Sequence, residues 1–299
     1  MKRLAITAGD PTGIGPEIIG KAFSLAPEIM DQIMWTVIGP SSWLSTLPKH
    51  PHVTLLDPCE SIIESGAQSY AYVEKAIQLA LAHHVEGIVT APICKEAWVR
   101  VNKPFLGHTE MLASLSKTTR YAMAFSSPSL NIMLATIHIP LVDVSSQLST
   151  ENLVEKIRLA HEFGLSLGYP RPRIGVAGLN PHAGESGHMG QEEIQIIEPA
   201  IYKSQKDGIL VTGPFPADTL FYRAVNEHHV DIVLAMYHDQ ALAPLKLIAF
   251  HEAVNVTIGL PFIRTSPDHG TAFDLAGKDI ANPSSMIAAM RLAVRMANK

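Results

Sequence analysis

The sequence predicts an α/β protein with a mostly parallel sheet flanked by helices. Two observations carry this prediction. Short apolar runs alternate with longer amphipathic stretches along the whole chain, as in successive strand–helix units. Of the 299 residues, 47% are hydrophobic and only 17% charged, which suits a well-buried core rather than a disordered chain. That length is enough for one large or two medium domains.

The elements follow in order. Residues 4–7 read as a strand, followed by the loop Gly9-Asp-Pro-Thr-Gly-Ile-Gly-Pro-Glu17 and helix-forming residues. Pro16 is tolerated in a first helical turn, and Glu17 suits its positive end. Residues 35–38 and 87–90 read as strands, with an amphipathic helix over 67–82 between them. A strand at 132–136 precedes a helix that opens at Thr150-Glu-Asn-Leu and stops at Gly168 and Pro170. Strands at 173–179, 231–236 and 254–258, with helices at 190–206 and 284–297, complete the alternation. No internal repeat or low-complexity linker marks a domain boundary.

Several function classes are excluded. A net charge of -5 gives no basic footprint for nucleic acid. Cys59 and Cys94 show no metal or redox spacing and read as reduced thiols of a cytosolic protein. Lys2-Arg3 precedes too short an apolar stretch for a signal peptide, and no run approaches the roughly 18 apolar residues of a membrane span. A soluble, cytoplasmic protein is expected.

Two glycine-bearing loops lie at the chain's ends. Gly13-Ile-Gly15 begins like a dinucleotide fingerprint, but Ile18 occupies the third small position, so a Rossmann assignment is rejected. Near the C-terminus, Asp268-His-Gly-Thr-Ala-Phe-Asp-Leu-Ala-Gly-Lys-Asp-Ile-Ala-Asn-Pro-Ser-Ser-Met-Ile287 mixes small and polar residues. Gly270 lets the backbone turn tightly and a flat ligand approach closely. By composition alone, the segment is equally an ordinary turn before the last helix.

Three of the 14 histidines each follow an apolar strand: His138, His182 and His238. Ligands of open α/β sheets bind beyond the carboxyl ends of strands. Three imidazoles there would suit a divalent ion with open positions for substrate. Three separately hydrogen-bonded loop histidines would give the same pattern. His83-His84 and His228-His229 lie in polar stretches and read as surface residues. Lys246 and Arg264 are cations flanked by apolar residues, and the arginine fork matches phosphate. His108 and Thr109 could offer an N–H and a hydroxyl to phosphate at a helix start over 110–115, unless Thr109 is simply the N-cap. Asp218 could cap a helix beginning at Thr219 or accept from a substrate ammonium or hydroxyl.

The order of residues in the C-terminal segment resembles the adenosine-binding segment of the isocitrate and isopropylmalate dehydrogenase superfamily, and the N-terminal loop is a longer form of that superfamily's GDGIGPE. Further phrases occur in order: Gly107-His-Thr-Glu110, Asn180-Pro-His-Ala-Gly-Glu185, Pro216-Ala-Asp-Thr219, Met236-Tyr-His-Asp-Gln240 and Gly259-Leu-Pro-Phe-Ile-Arg-Thr265. With them the chain, from residue 4 to about 297, closely resembles the 4-hydroxythreonine-4-phosphate dehydrogenase family. Ile137, where the family commonly has a second threonine, and a shorter chain before His108 are departures that touch no motif residue.

The resemblance implies a two-domain fold of mostly parallel sheets with the active site in the interdomain cleft. Residues 1–125 with 260–299 would bind the cofactor, and 126–259 would hold metal and substrate and dimerise. It implies NAD or NADP at Gly13, Gly15, Gly270, Thr271, Ala272 and Asn282, and a divalent metal (Zn²⁺, alternatively Mg²⁺ or Co²⁺) at His138, His182 and His238. Substrate contacts would fall on His108, Thr109, Asp218, Lys246, Asn255 and Arg264, with Lys246 and Asp218 catalytic. The implied assembly is a homodimer whose active site takes residues from both subunits. The implied reaction is oxidation of 4-phosphooxy-L-threonine to a β-keto acid that loses CO₂, giving 3-amino-2-oxopropyl phosphate in pyridoxal phosphate formation. Oxidation of 4-phospho-erythronate or phospho-threonate, or a phosphate acyltransferase of the same fold, are the alternatives.

Overall fold

The computed structural model describes residues 1–59, 61–105 and 107–299. Its strands are β1 (Arg3–Thr7), β2 (Met34–Ile38), β3 (Val53–Leu56), β4 (Gly87–Thr90), β5 (Ala122–Ser126), β6 (Asn131–Leu134), β7 (Ile174–Ala177), β8 (Val211–Phe215), β9 (Ile232–Ala235), β10 (Val254–Ile258) and β11 (Ile263–Pro267). All seven strands expected from the sequence are present. Four others were not legible, for local reasons. β5 is Ala-Met-Ala-Phe-Ser, without a β-branched residue, and β8 contains Gly213-Pro214. β11 carries Arg264 and ends on a proline, and β3 is an end strand with two exposed residues.

Contacts divide the chain into two units, Met1–Thr119 with Val254–Lys299 and Arg120–Ala253. In the first, the strand order is β3-β2-β1-β4-β11-β10. Neighbours are parallel except the β10–β11 pair. Every residue of β4 is buried, as expected for a strand covered on both faces. Helix Ser65–Leu81 packs on β1 and β4, and helix Ser284–Ala297 on β11, β4 and β10. The core between contains Tyr72, Trp98, Ile88 and Met111. Trp98 is fully buried and donates its Nε1–H to Ser69 Oγ at 2.8 Å, which satisfies its one polar group.

The second unit orders its strands β5-β6-β9-β7-β8, antiparallel between β5 and β6 and parallel elsewhere. Its longest helix, Thr150–Leu167, begins with Ser149 accepting from the Asn152 N–H and ends at Gly168 in the left-handed region, φ 98°. The expected helix over 190–206 divides into a π-type turn, Glu193–Ile197, and an α-helix, Glu198–Lys206. Pro214 lies in β8, the edge strand of this unit's order, where its missing N–H leaves no central ladder bond unmade. No helix among the described residues is long and apolar enough to cross a membrane.

Candidate active site

Within the first unit, the two terminal loops meet. Ile14 N–H donates to Thr271 O at 3.0 Å, and a Cβ on Gly13 would stand 2.9 Å from the same oxygen. Gly15 opens the helix Gly15–Leu25, with Pro16 in its first turn, and a Cβ there would strike Ala8 O at 2.0 Å. Glu17 Oε1 accepts from Ala281 N–H at 2.8 Å and from Lys21 Nζ at 2.9 Å, tying that helix to the end of the C-terminal loop. A Cβ on Gly270 meets nothing within 4 Å, so this face of the loop is open. Ala272 holds φ 41° beside it. Asn282 Oδ1 accepts from Ser284 N–H at 3.0 Å and so serves the start of the last helix.

A polar cluster is built on the neighbouring strands β4, β11 and β10 of the same unit, from Thr90, Arg264, Asn255 and Thr257. Arg264 is 4% exposed, yet among the described residues its guanidinium donates only to neutral oxygens: Asn255 Oδ1 at 2.9 Å, Thr257 Oγ1 at 3.2 Å and Thr90 Oγ1 at 3.0 Å. Its Nε is enclosed without a partner. Burial pushes the guanidinium down to about 10, with Glu110 opposing, so it remains cationic at neutral pH. His108 begins helix His108–Leu115 after an extended Gly107, with Thr109 next in the first turn. Thr109 is therefore inside the helix and not its N-cap. The His108 ring is partly covered, but its Nε2 is enclosed and unpartnered. Burial, with Arg264 and Lys95 nearby, holds His108 well below the ordinary imidazole range, so it is neutral. A buried cation without a carboxylate partner among the described residues, beside two enclosed and unpartnered nitrogens, forms an arrangement that an anion would complete.

The second unit carries the three histidines. β6, β9 and β7 are adjacent parallel strands, and His138, His238 and His182 follow them at one end. The rings of His138 and His238 lie 5.6 Å apart. His238 Nδ1 lies 2.6 Å from Asp239 Oδ1, and His182 Nδ1 lies 2.8 Å from Glu185 Oε2. A carboxylate on Nδ1 leaves Nε2 with its lone pair, the usual dress of a metal-binding imidazole, so His182 and His238 fit a divalent ion. The trio's ligand atoms do not all gather within 4.8 Å; among the described residues only Asp31, His50 and His52 do so. That surface group fits a metal less well. His50 Nδ1 receives the His52 N–H at 3.3 Å, which places the ring proton on Nε2, facing Asp31 at 3.3 Å.

Two other expected residues occupy this unit. Asp218 is exposed in the first turn of helix Ala217–Asn226, which starts after Pro216, so it does not cap a helix beginning at Thr219. Lys246, in the last turn of helix His238–Ala249, holds its Nζ 5.1 Å from the centre of the Phe250 ring.

Residues 35–293 match the family of the pyridoxal phosphate biosynthetic protein PdxA. The chain belongs to this family. A 4-hydroxythreonine-4-phosphate dehydrogenase from Sulfurihydrogenibium sp. (strain YO3AOP1) is 41% identical, over 98% of each chain. The crystal structure of the Klebsiella pneumoniae enzyme of that name is 39% identical, with a TM-score of 0.85 over 99% of this chain and 100% of its own. A protein of Oceanobacillus iheyensis, provisionally named D-threonate 4-phosphate dehydrogenase, is 39% identical over 98% of this chain and 97% of its own. A β-decarboxylating dehydrogenase of Thermococcus kodakarensis, 16% identical with a TM-score of 0.51 over 98% and 83%, shares the fold alone. The PdxA assignment agrees with the ordered phrases in the sequence. What sequence reasoning missed are the Arg264 partners Thr90 and Thr257, which sit in plain strand segments and become visible only by contact.

Proposed function

We propose that the protein oxidises 4-phosphooxy-L-threonine with NAD or NADP to a β-keto acid, which loses CO₂ to leave 3-amino-2-oxopropyl phosphate on the route to pyridoxal phosphate. The observation that carries this reading is the buried Arg264, whose charge meets only neutral oxygens beside an enclosed His108 Nε2. Phosphate supplies the missing anion: Arg264 offers a planar fork, while His108 and Thr109 stand at a helix start whose free N–H groups favour negative charge. Asn255 fixes the fork by accepting from Nη1.

His138, His182 and His238 would hold a divalent ion, with Zn²⁺ or Co²⁺ favoured over Mg²⁺ by imidazole ligands. Gly270–Ala272, with Gly13, Gly15 and Asn282 around it, would receive the nicotinamide cofactor's adenosine on the open face at Gly270. When bound, the ion supplies Lewis-acid polarisation of the substrate hydroxyl, and the nicotinamide supplies a hydride acceptor. Lys246 takes the hydroxyl proton in this reading, and Asp218, exposed at the start of its helix, accepts from the substrate's ammonium. The two units would serve cofactor and metal respectively. We further infer a homodimer, because Leu247 (86% exposed) and Phe250 (63%) give one helix end an uncovered apolar surface suited to a second copy.

The Oceanobacillus relative favours a second reading, in which the substrate is D-threonate 4-phosphate. That substrate carries a hydroxyl where phosphooxy-threonine carries an ammonium. Reduced-nicotinamide absorbance with a panel of phosphorylated hydroxy acids tests both readings. A clear preference for phosphooxy-threonine is expected. Preference for the threonate would shift the assignment to the second reading, and no turnover of either would sink both.

A further inference from the structure

We propose that Glu193 is the positioning residue for His182, an inference that rests on reading His182 as a metal ligand. Five consecutive residues, His182 to Ser186, have left-handed backbone angles, with φ between 44° and 79°. Only Gly184 among them adopts that region freely, so the surroundings must hold the others there. Glu193 supplies the hold. Its side chain is 1% exposed, and Oε1 accepts from both Leu179 N–H and Asn180 N–H at 2.8 Å. Oε2 accepts one Asn180 Nδ2 hydrogen at 2.9 Å, and the other goes to Glu192 Oε2 at 2.8 Å. The turn closes around this carboxylate. A Cβ on Gly178 would lie 3.2 Å from Glu193 Oε1, and one on Gly184 would lie 2.7 Å from Oε2.

The chain thus leaves β7, bends over a buried and fully accepted carboxylate, and presents His182 two residues after Asn180. Glu185 holds the ring's Nδ1 from the same turn. Glu193 touches neither ring nor substrate; it fixes where the imidazole stands. Loss of an outer partner of a metal ligand typically weakens metal binding about 10- to 100-fold.

The test uses full-length protein reloaded with Co²⁺, whose visible absorption reports ligand geometry. Co²⁺ affinity is measured by competition with a chelator, and thermal midpoints on the metal-free protein. Glu193→Gln keeps an oxygen for the two backbone donors but sets an NH₂ group against Asn180 Nδ2. It should weaken Co²⁺ binding about 10- to 100-fold and alter the visible band, with the KM for the nicotinamide cofactor unchanged. Asn180→Ala, which leaves both backbone bonds, should move affinity and band in the same direction by less, and it serves if Glu193→Gln does not fold. A lower thermal midpoint with unchanged affinity and spectrum would reduce Glu193 to a role in the fold and overturn the inference. His182→Ala separates the two layers. If it leaves Co²⁺ binding unchanged, the metal reading falls and this inference with it; if it removes the ion while the Glu193 and Asn180 variants bind normally, only the inference falls.

Discussion

At the scale of the residue, the proposed chemistry turns on a charge buried without a carboxylate partner among the described residues. Arg264 carries it: one hydrogen bond to a charged group is worth roughly 1.5–3 kcal/mol, at about 1.4 kcal/mol per factor of ten. Arg264→Ala should therefore cut kcat/KM for the phosphorylated substrate by about 10- to 200-fold, and residual turnover of the unphosphorylated acid should scarcely change. Equal losses on both substrates would assign Arg264 to another part of the substrate or to the fold. His108 yields a prediction in pH. Its folded value lies well below 6.5, so below that pH the unfolded chain binds a proton that the folded chain refuses. This contribution is present above pH 6.5 and is lost as pH falls towards the lowered folded value, by at most about 1.4 kcal/mol per pH unit. Denaturant midpoints between pH 7.5 and 5 should fall less steeply for His108→Asn than for the parent, and parallel curves would refute the assignment. Both residues stood out in the sequence, Arg264 because a charge inside Pro-Phe-Ile-Arg-Thr is odd. The oxygen partners of Arg264, Thr90 and Thr257, did not, because a threonine in a strand is ordinary until a guanidinium is placed beside it.

At the scale of the element, the terminal loops are joined by the Ile14–Thr271 bond and by Glu17, so one loop cannot shift without the other. Gly270 is different, since nothing lies within 4 Å of where its Cβ would be. Gly270→Val should leave the thermal midpoint almost unchanged while raising the KM for the nicotinamide cofactor severalfold and sparing that for the phosphorylated substrate. If both KM values rose together, the loop would be structural and the cofactor would bind elsewhere. The loops were legible because glycine and proline are local signals. The elements that escaped were those whose stability is not local. β5, with no β-branched residue, is a strand because its neighbours cover it. The turn at 182–186 is left-handed although four of its five residues are not glycine, and the carboxylate that binds the chain entering it, Glu193 on the Leu179 and Asn180 N–H groups, lies fourteen and thirteen residues away, beyond any local signal.

At the scale of the whole molecule, stability and chemistry are supplied by different parts. Each unit has its own apolar core, with Trp98 and Tyr72 in one and Phe125, Leu220 and Leu245 in the other. The three histidines follow β6, β9 and β7, His138 and His182 in the connecting segments and His238 as the first residue of its helix, outside the cluster those core residues form. A bound ion would add stability only by mass action, RT ln(1 + [L]/Kd), about 2.7 kcal/mol at a hundredfold excess over Kd. Structural zinc domains behave differently, since they unfold without their metal. Chelation should therefore abolish dehydrogenase activity while circular dichroism and the cooperative thermal transition persist, with a midpoint lowered by only a few degrees. Readdition of Zn²⁺ or Co²⁺ should restore turnover without a refolding step. Full activity after exhaustive chelation would remove the metal from the reaction. Loss of the cooperative transition would make the ion part of the core, and the three histidines would then have to be read as structural.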